Sequence, residues 1–195
     1  MKGLKIALLL ISGCFLMVTA CYATASTHIW SPSTDVQGYK KWHLTSDFYV
    51  PTENNSDNSR PNTITNLGLT VGVLPFEKLN AEVGFDHKSG YGALDDWPLY
   101  FNTKLGIPED AFGDFFPALV VGVYDVGTRA KDNRTNNNVW YGKAGKTVKV
   151  GDLSLGRFSV GGFRGNPKLL LHSGKKDNEG VLICWERTMT EISDK

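Results

Sequence analysis

Trp42-His43-Leu44-Thr45-Ser46-Asp47-Phe48-Tyr49-Val50 decides the fold. Trp42, Leu44, Phe48 and Val50 share one parity, while His43, Thr45, Asp47 and Tyr49 share the other. Side chains on an extended chain point alternately to opposite faces, so the stretch reads as a two-faced β-strand over 39–50. The same alternation recurs in segments of about ten residues, the length that crosses a bilayer as a tilted strand. Over 63–74, Leu67, Leu69, Val71 and Val73 oppose Asn66, Gly68, Thr70 and Gly72. Over 78–88, Leu79, Ala81, Val83 and Phe85 oppose Asn80, Glu82, Gly84 and Asp86. Over 97–107, Leu99, Phe101, Thr103 and Leu105 oppose Tyr100, Asn102 and Lys104. Further along, 138–148, 155–164 and 181–189 read as strands of the same kind. Between them and the first four, 118–126 is apolar on both parities, so its facing stays open.

The separators alternate as well. Leu74-Pro75-Phe76-Glu77-Lys78 and Val150-Gly151-Asp152-Leu153 are short turns, and Ile107 to Pro117 is a longer amphipathic one that predicts about one helical turn. The other set, 51–61, 88–96, 127–137 and 165–179, is polar and mostly longer. Short turns at one end and long polar loops at the other are a signature of transmembrane β-barrels.

Charge placement sharpens that reading. A Lys or Arg facing lipid at mid-membrane costs roughly 2–4 kcal/mol. The apolar faces of the first four strands carry no Lys, Arg, Asp or Glu in their central part. His43, Asp47, Glu82, Asp86, Lys104, Arg157 and Glu186 fall on the opposite faces, which predicts a polar lumen. Aromatic residues cluster near strand ends, where interfacial girdles belong. Trp42, Phe76, Phe116, Phe158 and Trp185 are expected at the periplasmic rim, and Phe48, Phe85, Trp97 and Trp140 at the outer rim.

An export signal precedes the strands. Met1-Lys2-Gly3-Leu4-Lys5 is basic, Ile6 to Ala20 is apolar, and Ala23-Thr24-Ala25 supplies a small-x-small cleavage site. Residues 1–25 therefore read as a cleaved secretory signal, although Val18-Thr19-Ala20-Cys21 has the form of a lipobox. Residues 26–38 read as a polar lead-in at the periplasmic mouth or tucked inside, and 39–195 as the barrel. Mean hydropathy is −0.22, too polar for a helical membrane protein but ordinary for a barrel. A net charge of +1 gives no sign of nucleic-acid binding. Of three cysteines, Cys14 and Cys21 lie in or beside the signal, which leaves Cys184 with no internal disulfide partner.

Ser26-Thr27-His28-Ile29-Trp30 with Pro32-Ser33-Thr34-Asp35-Val36-Gln37 resembles the mature start of an uncharacterised bacterial outer-membrane β-barrel family. Gly122-Val123-Tyr124-Asp125-Val126-Gly127 and Trp185-Glu186-Arg187-Thr188-Met189 carry the same likeness. The resemblance implies the fold and the location, and no activity. It also implies further strands beyond Glu191-Ile192-Ser193-Asp194-Lys195, where this chain stops at a turn without a terminal aromatic residue. The expectation is an all-β, antiparallel up-and-down transmembrane barrel with about eight strands present, truncated from a larger barrel. Closure of eight strands on themselves is the alternative.

No segment argues strongly for chemistry. Gly142-Lys143-Ala144-Gly145-Lys146-Thr147 has two residues between its glycines where a phosphate loop needs four. His172-Ser173 has no surrounding nucleophile motif, so a lipid-cutting barrel enzyme is a minor alternative. Asp86-His87 and Asp95-Asp96 match no zinc or calcium spacing and read as solvated loop charges. Asn54 and Asn133 begin N-x-Ser/Thr triplets that Asn-rich loops produce by chance. The expected function is structural or passive transport in the outer membrane, with no catalysis, cofactor, metal or nucleic-acid partner. Outer-membrane lipid and the barrel-assembly machinery are the expected partners. The competing fold is a secreted β-sandwich or lipocalin-like barrel that binds a ligand, with the faces reversed.

Overall fold

The computed structural model describes residues 31–92, 95–129, 136–151, 153–167 and 178–187. Eight strands form one antiparallel sheet in strict sequence order: β1 (Trp42–Tyr49), β2 (Ile64–Gly72), β3 (Asn80–Ser89), β4 (Leu99–Ile107), β5 (Ala118–Gly127), β6 (Asn136–Val150), β7 (Leu153–Arg164) and β8 (Glu179–Glu186). Among the described residues, every named element is a strand. The sheet curls into a half-barrel whose edges are β1 and β8, and among the described residues the eight strands do not close on themselves. The signal segment 1–25 and the residues 26–30, together with Asn133, His172, Ser173 and 188–195, lie outside the described residues.

The register carries the alternation across strands. Leu44 pairs with Leu69, Leu69 with Phe85, Phe85 with Phe101, and Phe101 with Val126, giving one apolar row on the convex face. Exposure follows the same parity: Leu44 is 75% exposed and Ile183 79%. Polar and small residues of the other parity line the concave face. Gly142 and Ala144 are small and leave a shallow apolar hollow on the convex side, bordered by Leu105, Leu119, Val121 and Val160.

β5 shows why its pattern is ambiguous. Leu119 and Val121 point to the convex face, whereas Ala118 and Val120 are buried on the concave side. A β-bulge then interrupts pairing with both neighbours between Val123 and Val126. Asp125 takes a positive φ of 56° there, and its N–H donates to Asn102 Oδ1 at 3.1 Å. An extra residue in one strand re-aims a side chain, and here it places both Tyr124 and Asp125 on the concave side.

The helical turn expected in 107–117 is absent. Asp110 (φ 63°) and Gly113 (φ 127°) are both left-handed, which breaks any helix. Consecutive turns form instead, closed by Asp110 N–H to the Phe116 carbonyl at 3.0 Å and Phe116 N–H to the Gly113 carbonyl at 2.8 Å.

Candidate functional site

The concave face is crossed by a strap, residues 31–38, which folds inward before the chain enters β1. Ser33 is 0% exposed, and Thr34 and Gln37 are 2% exposed. A polar stretch outside the strands buries itself only if its groups are bonded. Cations from three strands supply the bonds. Lys143 Nζ (β6) donates to Ser31 Oγ at 3.1 Å and to the Pro32 carbonyl at 2.9 Å. Lys104 Nζ (β4) donates to the Asp35 carbonyl at 2.9 Å. Arg157 (β7) pairs through Nη1 with the Asp35 carboxylate at 2.5 Å. One anion completes the set: Glu82 Oε2 (β3) accepts the Gln37 N–H at 2.7 Å, while Glu82 Oε1 pairs with Lys104 at 3.1 Å.

The sheet is also hollowed to receive the strap. A Cβ at Gly145 would press on the Thr34 side chain, one at Gly106 on Val36, and one at Gly72 on the backbone of Gln37 and Gly38. These three glycines lie on β6, β4 and β2, on the same face and toward the same end of the sheet. Glycine at each leaves room for backbone to approach.

Arg157 links the strap to the β4–β5 turn. Its Nε lies 3.4 Å from Glu109 Oε2, and its Nη1 lies 3.7 Å from Glu186 Oε1. Glu109 also accepts from the Thr147 N–H and hydroxyl, each at 2.7 Å, and pairs with Lys146 at 3.2 Å. Partial burial works against the charge on Glu109, but these bonds outweigh it and hold the carboxyl below its ordinary range.

Beyond the strap, toward the long loops, the concave face opens into a polar hollow of about 220 Å³. Its wall is a chain of bonded polar groups. Asn66 Nδ2 donates to Asp47 at 3.1 Å, Asn102 Nδ2 donates to Asp86 at 2.6 Å, and Lys88 pairs with Asp125 at 2.5 Å. The strap residues Ser31 and Pro32 form part of the hollow's lining.

The structure places Asp47, Glu82, Asp86, Lys104, Arg157 and Glu186 on the concave side, with His43 on the same parity of β1. They do not form one cluster. Glu82, Lys104, Arg157 and Glu186 gather around the strap, while Asp47 and Asp86 line the hollow. His43 is half-buried, and its Nδ1 has no hydrogen-bond partner among the described residues.

On the convex side, Trp42, Phe48, Trp140, Phe158 and Trp185 are all at least half exposed. Phe158 and Trp185 stack at the short-turn end, with ring centroids 6.3 Å apart. Phe76 is exposed in the β2–β3 turn, and Phe116 packs edge-on against Phe112 in the β4–β5 turn at 5.0 Å. Trp97 lies just before β4 beneath the Arg129 guanidinium, 4.3 Å from its ring centre. Phe85 sits midway along β3 in the apolar row, opposite Phe101 of β4.

Several residues that matter here carry no local sequence signal. Asp35, Lys88, Glu109, Asp125 and Lys143 all hold the concave network together, yet their partners lie far along the chain. Lys88 meets Asp125 across 37 positions, Lys143 meets Pro32 across 111, and Arg157 meets Asp35 across 122. Lys143 is the most legible of them, since it shares parity with Tyr141 on the polar face of β6. The Gly142–Thr147 segment lies within extended β6, with Lys143 on the strap and Lys146 on the β4–β5 turn, so it forms no phosphate loop. Asp86 and His87 point to opposite faces of β3, and no metal-holding group of His, Cys, Asp and Glu occurs among the described residues. Comparison with protein-family models, curated proteins and solved structures gives no match.

Proposed function

We propose that the chain is an outer-membrane β-barrel protein with a structural or passive-transport role and no catalytic chemistry. On this reading it is exported by a cleaved signal and belongs to the outer-membrane family that its sequence resembles. The observation that carries the proposal is inverted polarity. Leu44 and Ile183 are 75% and 79% exposed on the convex face, while Glu82 and Lys104 are 5% and 4% exposed on the concave one. Soluble proteins rarely expose contiguous apolar patches beyond a few hundred Å². Lipid resolves the conflict, since each large apolar side chain removed from water contributes roughly 1.5–3 kcal/mol.

Strand dimensions agree with this. The strands run from 8 residues in β1 to 15 in β6, against the roughly 9–11 that span a bilayer when tilted. Aromatic side chains near both ends supply interfacial anchors. Hydrocarbon leaves unpaired backbone groups unsatisfied, so the β1 and β8 edges need strand partners once the sheet is in the membrane. The polar hollow suits water or a small polar solute. Outer-membrane lipid and the barrel-assembly machinery are the partners this reading requires.

Fractionation tests it. The protein should resist urea extraction from the outer-membrane fraction and migrate faster in gels before heating than after. Recovery in the soluble periplasm would support a secreted ligand-binding protein and defeat the membrane reading.

A further inference from the structure

The strap is more than a lead-in. Lys143, Lys104 and Arg157 bind its carbonyls, hydroxyl and carboxylate, and Glu82 holds the Gln37 N–H. The glycines at 72, 106 and 145 clear the ground beneath it. It crosses the concave face from β6 and β7 to β2 at the end bearing the short turns, and its first residues border the polar hollow. Two independent features, the ring of bonded charges and the row of glycines, are therefore matched to one segment. A strap that only happened to lie there would need neither.

We infer that residues 31–38 form a built-in plug that bars the short-turn end of the barrel, so that the polar hollow is a cup open on the long-loop side. This rests on the membrane-barrel reading. At that end the strap's backbone, and the side chains that bond it, take up the concave space between β7 and β2. Small polar solutes then cross only when the strap leaves its seat. The bonds from the sheet keep it seated at rest, because unseating breaks the Asp35–Arg157 pair and the bonds that Lys143, Lys104 and Glu82 make to the strap.

The test uses the full mature chain in planar bilayers, as wild type, as Gly145→Leu and with residues 31–38 deleted. Gly145→Leu pushes on Thr34 while leaving every charged anchor in place. Wild type should show a closed baseline, and both variants should raise the conductance about tenfold as a water path opens. A deletion variant that inserts and keeps the wild-type conductance would overturn the plug. Should the deletion fail to assemble, labelling decides the matter. Ser33→Cys in a Cys184→Ser background should resist a membrane-impermeant maleimide and become reactive when Gly145→Leu is added. Labelling of Ser33→Cys in the inserted chain without Gly145→Leu would overturn the plug alone. Recovery of the chain in the soluble fraction would overturn the membrane reading, and the plug with it.

Discussion

Glu82→Ala probes the anchorage of the strap at its most buried point. The Glu82 side chain is 6% exposed and Lys104 4%, with 3.1 Å between Oε1 and Nζ. Glu82 also accepts the Gln37 N–H at 2.7 Å. Truncation thus takes the compensating carboxylate from a buried ammonium and an acceptor from the Gln37 N–H. Breaking a buried pair from one side typically costs about 3–5 kcal/mol, because the remaining charge is uncompensated. That is a large share of the roughly 5–15 kcal/mol that stabilises an ordinary domain. The paired replacement Glu82→Leu with Lys104→Met removes both charges, which brings the cost of the pair itself close to zero. It still removes one bond from the Gln37 N–H and one from the Asp35 carbonyl, at about 0.5–1.5 kcal/mol each. The double variant should therefore be no less stable than Glu82→Ala, despite carrying one more substitution. Urea unfolding in lipid vesicles, followed by tryptophan fluorescence, measures both. A loss below about 1 kcal/mol for Glu82→Ala would refute the reasoning, since water would then reach the carboxylate and the strap could not be packed there.

Three further outcomes are expected. Leu69→Arg on the convex apolar row should cost about 2–4 kcal/mol in vesicles and reduce membrane assembly, whereas Thr70→Arg, one residue along on the concave face, should assemble better. Equal assembly of the two would contradict the facing. Glu109 ionises below its ordinary value of 4.5 in the folded state, so its contribution is present at neutral pH and fades as pH falls through the folded value. Glu109→Gln should accordingly lower the urea midpoint at neutral pH and match wild type in strong acid; equal midpoints at neutral pH would count against the Thr147 and Arg157 contacts. Asn102→Leu removes the acceptor for the bulged Asp125 N–H and the donor to Asp86, and should destabilise the chain by about 1–3 kcal/mol, read from the same unfolding curves.

The strands were legible because each carries its own two-residue period. Observed bounds stay within a few residues of the pattern throughout, as with 99–107 for β4 against 97–107. β5 resisted because Val120, Val121 and Val123 are apolar on both parities and the Asp125 bulge resets the alternation. The 107–117 turn misled because its amphipathic spacing suits a helix, while the left-handed Asp110 and Gly113 do not. The strap lay furthest from view. Residues 31–38 have no periodicity, and their partners are distant: Gln37 meets Glu82 across 45 positions and Asp35 meets Arg157 across 122. A period of two fixes which face Lys104, Lys143 and Arg157 occupy. It says nothing of the segment laid across that face. That these polar residues share the concave face was thus readable, and their division between strap and hollow was not.

The central claim is that the convex face meets lipid, and a nitroxide scan of β1 tests it most directly. Single labels at each position from Trp42 to Tyr49, in vesicles, report collision with oxygen, which concentrates in hydrocarbon, and with a polar nickel chelate, which stays in water. Oxygen accessibility should rise and fall with period two, with maxima at Leu44 and Phe48 and minima at His43, Thr45 and Asp47. Maxima at Leu44 and Phe48 for the nickel chelate instead would place that face in water and contradict the account.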